Sequence, residues 1–140
     1  MAYATRTDID QRITQSELVR LTDQHDIGVA DATMIEAALE AAAIEIDSYL
    51  AIRYPLPLAD AMPLLTSLAV DIAIWNLYGI VDHAGVPEVR KERYHAAVQT
   101  LKRLADGSQT LGLPPQQAGS EAAVFSGPAR LFGRATMSGL

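Results

Sequence analysis

The chain has no cysteine among its 140 residues, so disulfide bonds, thiolate nucleophiles and zinc–thiolate sites are excluded. It also lacks an uncharged apolar run of the roughly 18 residues that a membrane span needs. Its first ten residues contain no apolar segment of the kind that a secretory signal requires. These absences predict a protein that folds in a cytosol without a membrane partner, and the length predicts a single folded domain.

Catalytic motifs are equally scarce. His25, His83 and His95 are not spaced from one another as metal ligands are, and the sequence contains no nucleophile-elbow, dinucleotide-binding or P-loop glycine motif. We therefore expect no enzymatic activity, no cofactor and no bound metal.

One aspartate-containing segment superficially resembles a calcium-binding loop, with Gly28 at the position of the sharp turn. An EF-hand needs oxygen ligands at its third and fifth positions and a glutamate at its twelfth. Those positions hold His25, Ile27 and Met34 instead. We interpret the segment as a turn in which Gly28 adopts a positive φ and Asp31 caps the helix that follows.

The net charge of −6 is unevenly distributed. Residues 1–85 carry 13 acidic and 4 basic side chains, whereas residues 86–140 carry 4 and 7. Because nucleic-acid binding is driven by lysine and arginine, the acidic body argues against a protein that wraps DNA. The basic part either meets an acidic neighbour, such as another copy of the chain, or is a solvated surface that happens to segregate by sign.

Three helices are predicted in the first half. Two short ones are expected to be capped by Thr7 and Ser16, and they are too short, in surroundings too acidic, for a DNA-reading helix-turn-helix. A long amphipathic helix from Asp31 to Arg53 follows, with apolar residues at steps of three and four. Pro55 has no backbone N–H and disfavours helix at the residue before it, so the helix should end there.

The next helix should carry Pro63 in its first turn. It is apolar on nearly all sides, which is typical of the central helix of a bundle. Asp71 is the only charged residue between Pro63 and Val81. We expect Asp71 to pair with Arg53 or Arg93, or to point to solvent, rather than to act as a carboxylate with a functionally tuned pKa.

The last predicted helix opens at Pro87 and ends at Gly107, which suits a left-handed cap. Its basic residues are Arg90, Lys91, Arg93, Lys102 and Arg103. Together the elements predict an all-α bundle with one long helix, a proline-rich turn, a central apolar helix and a basic fourth helix, where the two short pieces count together as the first. We assign residues 1–106 to this helical domain and residues 107–140 to an extended C-terminal tail.

The tail holds six of the nine glycines and three of the seven prolines, a composition that disfavours helix and strand. It nevertheless contains both phenylalanines of the chain. Aromatic residues and arginine are enriched at the buried centres of interfaces. We therefore predict that the tail docks on a partner, with folding back onto its own helices as the alternative. The predicted interface residues are Val124, Phe125, Arg130, Leu131, Phe132 and Arg134.

Short motifs in the same order along the chain carry a family resemblance. They are Tyr3-Ala4-Thr5, Leu21-Thr22-Asp23, Ile46-Asp47-Ser48-Tyr49-Leu50, Arg53-Tyr54, Pro57-Leu58, Asp71-Ile72-Ala73, Arg93-Tyr94, Leu111-Gly112-Leu113 and Arg130-x-Phe132-x-Arg134. Through these motifs the chain resembles the Mu-like phage head–tail connector (adaptor) proteins, a family catalogued as being of unknown function.

The resemblance implies an all-α structural subunit of a virion, made in the host cytoplasm and placed at the head–tail junction. It implies a homo-oligomeric ring, of twelvefold symmetry in the particle, that binds the portal protein and docks a tail completion or stopper protein. DNA would pass through the ring without specific binding, which suits an acidic body because like charges repel. The alternative function is that of a small acidic helical module that binds and regulates a protein partner.

Overall fold

The computed structural model describes residues 2–58, 60, 62–81 and 85–113. Within these ranges the secondary structure is entirely helical, which confirms the all-α prediction. The elements are α1 (Arg6–Asp10), α2 (Gln15–Thr22), α3 (Ala32–Leu50), α4 (Pro63–Val81) and α5 (Glu88–Asp106).

The two short helices begin earlier than the sequence predicted. Thr5, not Thr7, caps α1, because the Asp8 carboxylate accepts a hydrogen bond from the Thr5 backbone N–H while the Thr5 hydroxyl accepts one from Asp8 N–H. This reciprocal capping box satisfies two N–H groups that would otherwise lack partners. Thr14, not Ser16, caps α2. The expected caps were therefore each wrong by two residues.

The turn before α3 has the predicted form. Gly28 adopts a φ of +84°, and Asp31 caps α3 by accepting hydrogen bonds from the first turn. Asp23 accepts hydrogen bonds from the N–H groups of Ile27 and Gly28. The Gly28 bond is the main reason that the pKa of Asp23 lies below its ordinary value. The Asp23 carboxylate therefore stabilises the turn by binding the backbone N–H groups within it.

The long helix α3 ends at Leu50, before the predicted limit at Arg53. The chain continues through tight turns, in which Tyr54 N–H still donates to the Leu50 carbonyl at 2.8 Å. Pro55 follows at once and cannot extend the pattern. The inward face of α3 is buried as its three- and four-residue spacing predicted, through Ile35, Ala38, Leu39, Ala42, Ala43, Ile46 and Leu50.

The central helix is α4, which contacts each of the other four helices. Pro63 opens it, as predicted. By length and composition its segment Pro63–Ile80, of mean hydropathy 1.3, could also cross a membrane. In this fold the surrounding helices account for the apolar composition, because buried residues occur on several sides of α4, including Leu65, Leu68, Ala69, Val70, Ile72, Ala73, Ile74, Leu77 and Tyr78.

The C-terminal end of α5 is fixed by Gly107, whose φ of +90° is the predicted left-handed cap. A Cβ atom at this position would lie 3.3 Å from the guanidinium carbon of Arg53. The backbone conformation therefore favours glycine at this position, and a side chain here would also have to shift the Arg53 guanidinium slightly.

Beyond α5 the chain still packs on the bundle. Leu111 is 8% exposed, and its backbone N–H donates to the Tyr54 hydroxyl at 3.1 Å. The first residues after Gly107 thus lie against the segment that follows α3. The division at residue 106 into a domain and a tail stays a prediction.

Burial on α3 predicts different costs for two isoleucines in one helix. Ile46 is fully buried, whereas Ile44 is 61% exposed. Ile46→Ala should lower the free energy of unfolding by about 2–5 kcal/mol because it leaves a cavity. Ile44→Ala should change it by less than about 0.5 kcal/mol. Urea denaturation of both variants measures the difference, and equal losses would show that α3 packs in another orientation.

The Tyr54–Leu111 hydrogen bond predicts a specific effect of removing one hydroxyl. Tyr54→Phe keeps the buried ring but leaves the Leu111 N–H without its acceptor, so the free energy of unfolding should fall by about 1–3 kcal/mol. Amide hydrogen exchange at Leu111 should become faster. Tyr49→Phe, at a half-buried position in the last turn of α3, is the control. Unchanged exchange at Leu111 would contradict the contact.

Candidate functional site

The six interface residues predicted in the tail (Val124, Phe125, Arg130, Leu131, Phe132 and Arg134) lie outside the described residues. Within the described ranges, no three histidine, aspartate or glutamate side chains are close enough together to hold a metal ion. The candidate site is therefore a set of charged side chains on the described helices.

An ion pair between distant parts of the chain joins Arg12 and Asp71. Arg12 Nη1 lies 2.5 Å from Asp71 Oδ1, and Arg93 Nη1 lies 4.0 Å from the same oxygen. The Asp71 side chain is 10% exposed. The single charge of α4 is thus neutralised by the segment after α1 and by α5, which ties three parts of the fold together.

The arginines around Asp71 outnumber their carboxylate. Arg12 Nη2 also donates to the Ser67 hydroxyl at 3.3 Å, and Arg90 Nη2 donates to the Arg12 carbonyl at 3.3 Å. Two guanidinium groups therefore approach the Asp71 carboxylate, and that of Arg90 lies near enough for its charge to act on it. We call Arg12, Arg90 and Arg93, with the neighbouring Val89, the basic surface. Val89 is 53% exposed, so this surface combines positive charge with an accessible apolar side chain.

Burial has the largest effect on Asp71. It raises the pKa of the carboxyl group above its ordinary value of 3.8, and the positive charges of Arg12 and Arg93 offset this only in part. An exposed ion pair would lower the pKa instead. Desolvation therefore outweighs pairing at this position.

A cleft of about 430 Å³ lies beside the Arg12 side chain, between α1 and the start of α4. It is lined by Asp8, Gln11, Arg12, Met62, Pro63, Thr66, Ser67 and Val70. The lining mixes a carboxylate, amide and hydroxyl groups with apolar side chains. Asp8 is already engaged in capping α1 and Arg12 in pairing with Asp71, so the cleft offers few polar groups that are not already bonded.

A second charged surface lies on α3. Glu36, Glu40 and Ile44 follow one another at four-residue intervals, and all three are exposed. Ala37 and Ala41, also exposed, separate them with small side chains. Within the described part of the chain, neither glutamate forms an ion pair. We call these five residues the acidic surface.

An aromatic pair connects α4, α5 and α3. The rings of Trp75 and Tyr94 stack with centroids 4.7 Å apart and planes 9° from parallel. The Tyr94 hydroxyl donates to Glu45 Oε2 at 3.3 Å. Burial, with a smaller contribution from the charge of Glu45, raises the pKa of Tyr94. The pair fixes α5 against both neighbouring helices.

The sequence predicted one partner of Asp71 correctly and missed the other. Arg93 does approach Asp71, but Arg53 instead places its guanidinium carbon 5.5 Å from the centre of the Tyr54 ring. Arg12 was missed as a partner. Its position between the buried residues Ile9 and Ile13, in the turn that follows α1, is the signal that it faces the bundle.

Comparisons with known proteins find one family model and one similar protein, and each match covers most of the chain. The family model described as Bacteriophage Mu, Gp36 matches residues 3–126. The Mu-like prophage FluMu protein gp36 of Haemophilus influenzae is 28% identical over 140 residues, covering 98% of this chain and 96% of that protein. The family match includes all five helices and Phe125 but stops before Arg130.

The raised pKa of Asp71 predicts the sign of a pH effect. The folded state holds the Asp71 proton more tightly than the unfolded state, so the contribution of Asp71 to stability is greatest below pH 3.8 and falls as the pH rises through the raised pKa. Asp71→Asn cannot titrate. We expect the free energy of unfolding of the wild type to fall relative to Asp71→Asn as the pH rises from below 3.8 toward neutrality.

Urea denaturation of both proteins across this pH range makes the measurement. Asp106→Asn is a matched control of opposite sign, because hydrogen bonds from Ser108 lower the pKa of that exposed carboxyl. A wild-type stability that instead rises relative to Asp71→Asn would show that pairing with Arg12 outweighs burial.

Proposed function

Because the chain belongs to the bacteriophage Mu Gp36 family, and is thus a phage protein, we propose that it is a structural head–tail connector subunit. The observation that carries the proposal is the match of the family over residues 3–126, which spans the whole helical bundle. In this role the subunit forms a ring beneath the portal protein, with twelve copies in the particle. The ring extends the channel through which DNA leaves the head.

The charge distribution supports passage of DNA without specific binding. The 13 acidic and 4 basic side chains of residues 1–85 give this part of the subunit a net negative charge. Phosphates slide past a wall of like charge without adhering to it. Basic residues of the subunit are then available for protein contacts rather than for the DNA backbone.

The tail supplies the main contact with the portal or with the neighbouring subunit. The bundle ends with Leu111 held against Tyr54, and 27 further residues follow Leu113. Phe125 and Phe132, with the arginines beside them, are suited to bury aromatic rings at an interface. A tail completion or stopper protein docks on the opposite side of the ring.

In this role the protein is synthesised in the host cytoplasm and functions in the virion at the head–tail junction. The acidic surface of the bundle also favours a second candidate, a small regulatory module that binds a basic protein. The two differ in their need for the tail, because the regulator acts through the bundle and the connector through residues 120–140.

The connector role predicts that aromatic residues of the tail control incorporation into particles. Phe125→Ala combined with Phe132→Ala should reduce the number of copies per particle at least about tenfold, because each interface aromatic contributes about 2 kcal/mol or more. Ser126→Ala is the control and should leave incorporation unchanged. Quantitative mass spectrometry of purified particles gives the copy number.

Cryo-electron microscopy of the wild-type particles tests the position. Density for the subunit as a ring at the head–tail junction is expected, and density elsewhere would overturn the proposal. Removal of residues 120–140 separates the two candidates. A connector loses assembly, whereas a truncated protein that still binds its basic partner would favour the regulatory module.

A further inference from the structure

We infer that copies of the chain associate head to tail, with the acidic surface on α3 of one copy seated on the basic surface of the next. The acidic surface is Glu36, Ala37, Glu40, Ala41 and Ile44, and the basic surface is Arg12, Val89, Arg90 and Arg93. The inference rests on the proposed ring and names the contact that builds it.

The two surfaces have complementary charge. The basic surface holds three guanidinium groups, and within the described residues Arg12 and Arg93 share a single carboxylate, that of Asp71. The acidic surface holds two exposed glutamates that form no ion pair within the described residues. Placing Glu36 and Glu40 against Arg90 and Arg93 supplies the missing negative charge. Such complementary charges fix the register of an interface and speed its formation.

Each surface also offers one large apolar side chain beside its charges. Ile44 follows Glu40 by four residues on α3, and Val89 precedes Arg93 by four residues on α5, so each pair shares a helix face. Ile44 is 61% exposed and Val89 is 53% exposed. Burying these two side chains adds apolar contact to an interface that charge aligns.

The surfaces lie on different sides of the same subunit, which is why a second copy is the occupant. Asn76 faces α3, because its side-chain amide donates to the Ala38 carbonyl at 3.4 Å. Asp71 is five residues earlier on α4, which places it about 140° around the helix from Asn76. The acidic surface points away from α4 on the far side of α3. One subunit therefore cannot join its own two surfaces.

A contact between two different surfaces is heterologous. Repeated from copy to copy, it closes into a ring when the rotation per subunit divides the circle, and otherwise it continues as a filament. It leaves the tail of each subunit available for the portal. The association should weaken at high ionic strength, because surface charges are then screened over a few ångströms.

Cross-linking tests the contact directly, because the chain has no cysteine of its own. Glu40→Cys and Val89→Cys are prepared as separate full-length proteins, mixed at high concentration and treated with a short bismaleimide. The mixture should form the heterodimer at least tenfold faster than a mixture of Glu40→Cys with Lys102→Cys. Position 102 is exposed on α5, nine residues after Arg93 and on the opposite side of the helix.

Charge reversal is the second measurement. For this test the cysteine on α3 is placed at Ile44→Cys, so that Glu40 can be changed, and the second protein is again Val89→Cys. Adding Glu36→Lys and Glu40→Lys to the Ile44→Cys protein should slow cross-linking at least tenfold. Lys102→Glu should leave the rate unchanged. Equal rates for the Val89 and Lys102 pairs, or dominant cross-links between two copies of Glu40→Cys, would overturn the inference. The second result would indicate a symmetric contact of α3 with itself.

The same proteins distinguish failure of this contact from failure of the connector role. If particles carry a ring at the head–tail junction but the Val89 pair does not cross-link, the inferred contact is wrong and the proposed function stands. If the pair cross-links in solution but the protein is absent from particles, the contact stands and the proposed function is wrong.

Discussion

The fold depends on one requirement, which is to bury the apolar residues that lie on several sides of the central helix α4. A helix that is apolar nearly all round has no stable orientation at a protein surface, so it must be surrounded. The other four helices all contact α4. The alanines on the inward side of α3 let that helix approach closely, and the stacked rings of Trp75 and Tyr94 hold α5 in place. Contacts with other molecules are then left to the exposed faces of the helices.

Asp71 is the exception within α4, and its neighbours explain the distribution of charge around the bundle. A buried carboxylate is costly unless it is paired. Arg12 and Arg93 offset part of this cost, and Arg90 holds Arg12 in place through the Arg12 carbonyl. Because three arginine side chains lie near a single aspartate, positive charge remains at the surface. The stabilisation of the core and the basic surface outside thus have the same origin.

Sequence patterns predicted the class of fold, the order of the helices, the start of α4 and the end of α5, because proline and glycine act locally. The end of α3 was predicted three residues too late, because the tight turns after Leu50 keep a helix-like hydrogen bond up to Tyr54. Pro63 and Gly107 have the positions expected of them. The caps of α1 and α2 were misplaced because several threonines and serines stand close together, and the carboxylate of Asp8 selects Thr5 among them. The pairing of Arg12 with Asp71 spans 59 residues. Only the packing of α1 against α4 brings the two side chains together. A local sequence pattern cannot predict a contact between residues so far apart in the chain.

The apolar character of α4 also has a consequence for synthesis. The helix leaves the ribosome before α5, which covers one of its sides. At about 5–20 residues per second, residues 82–106 take about one to five seconds to be made. During that interval the side of α4 that α5 covers in the folded protein is not yet buried. Within the described residues α5 is the last helix to be made, so its synthesis is the step that completes the cover of α4.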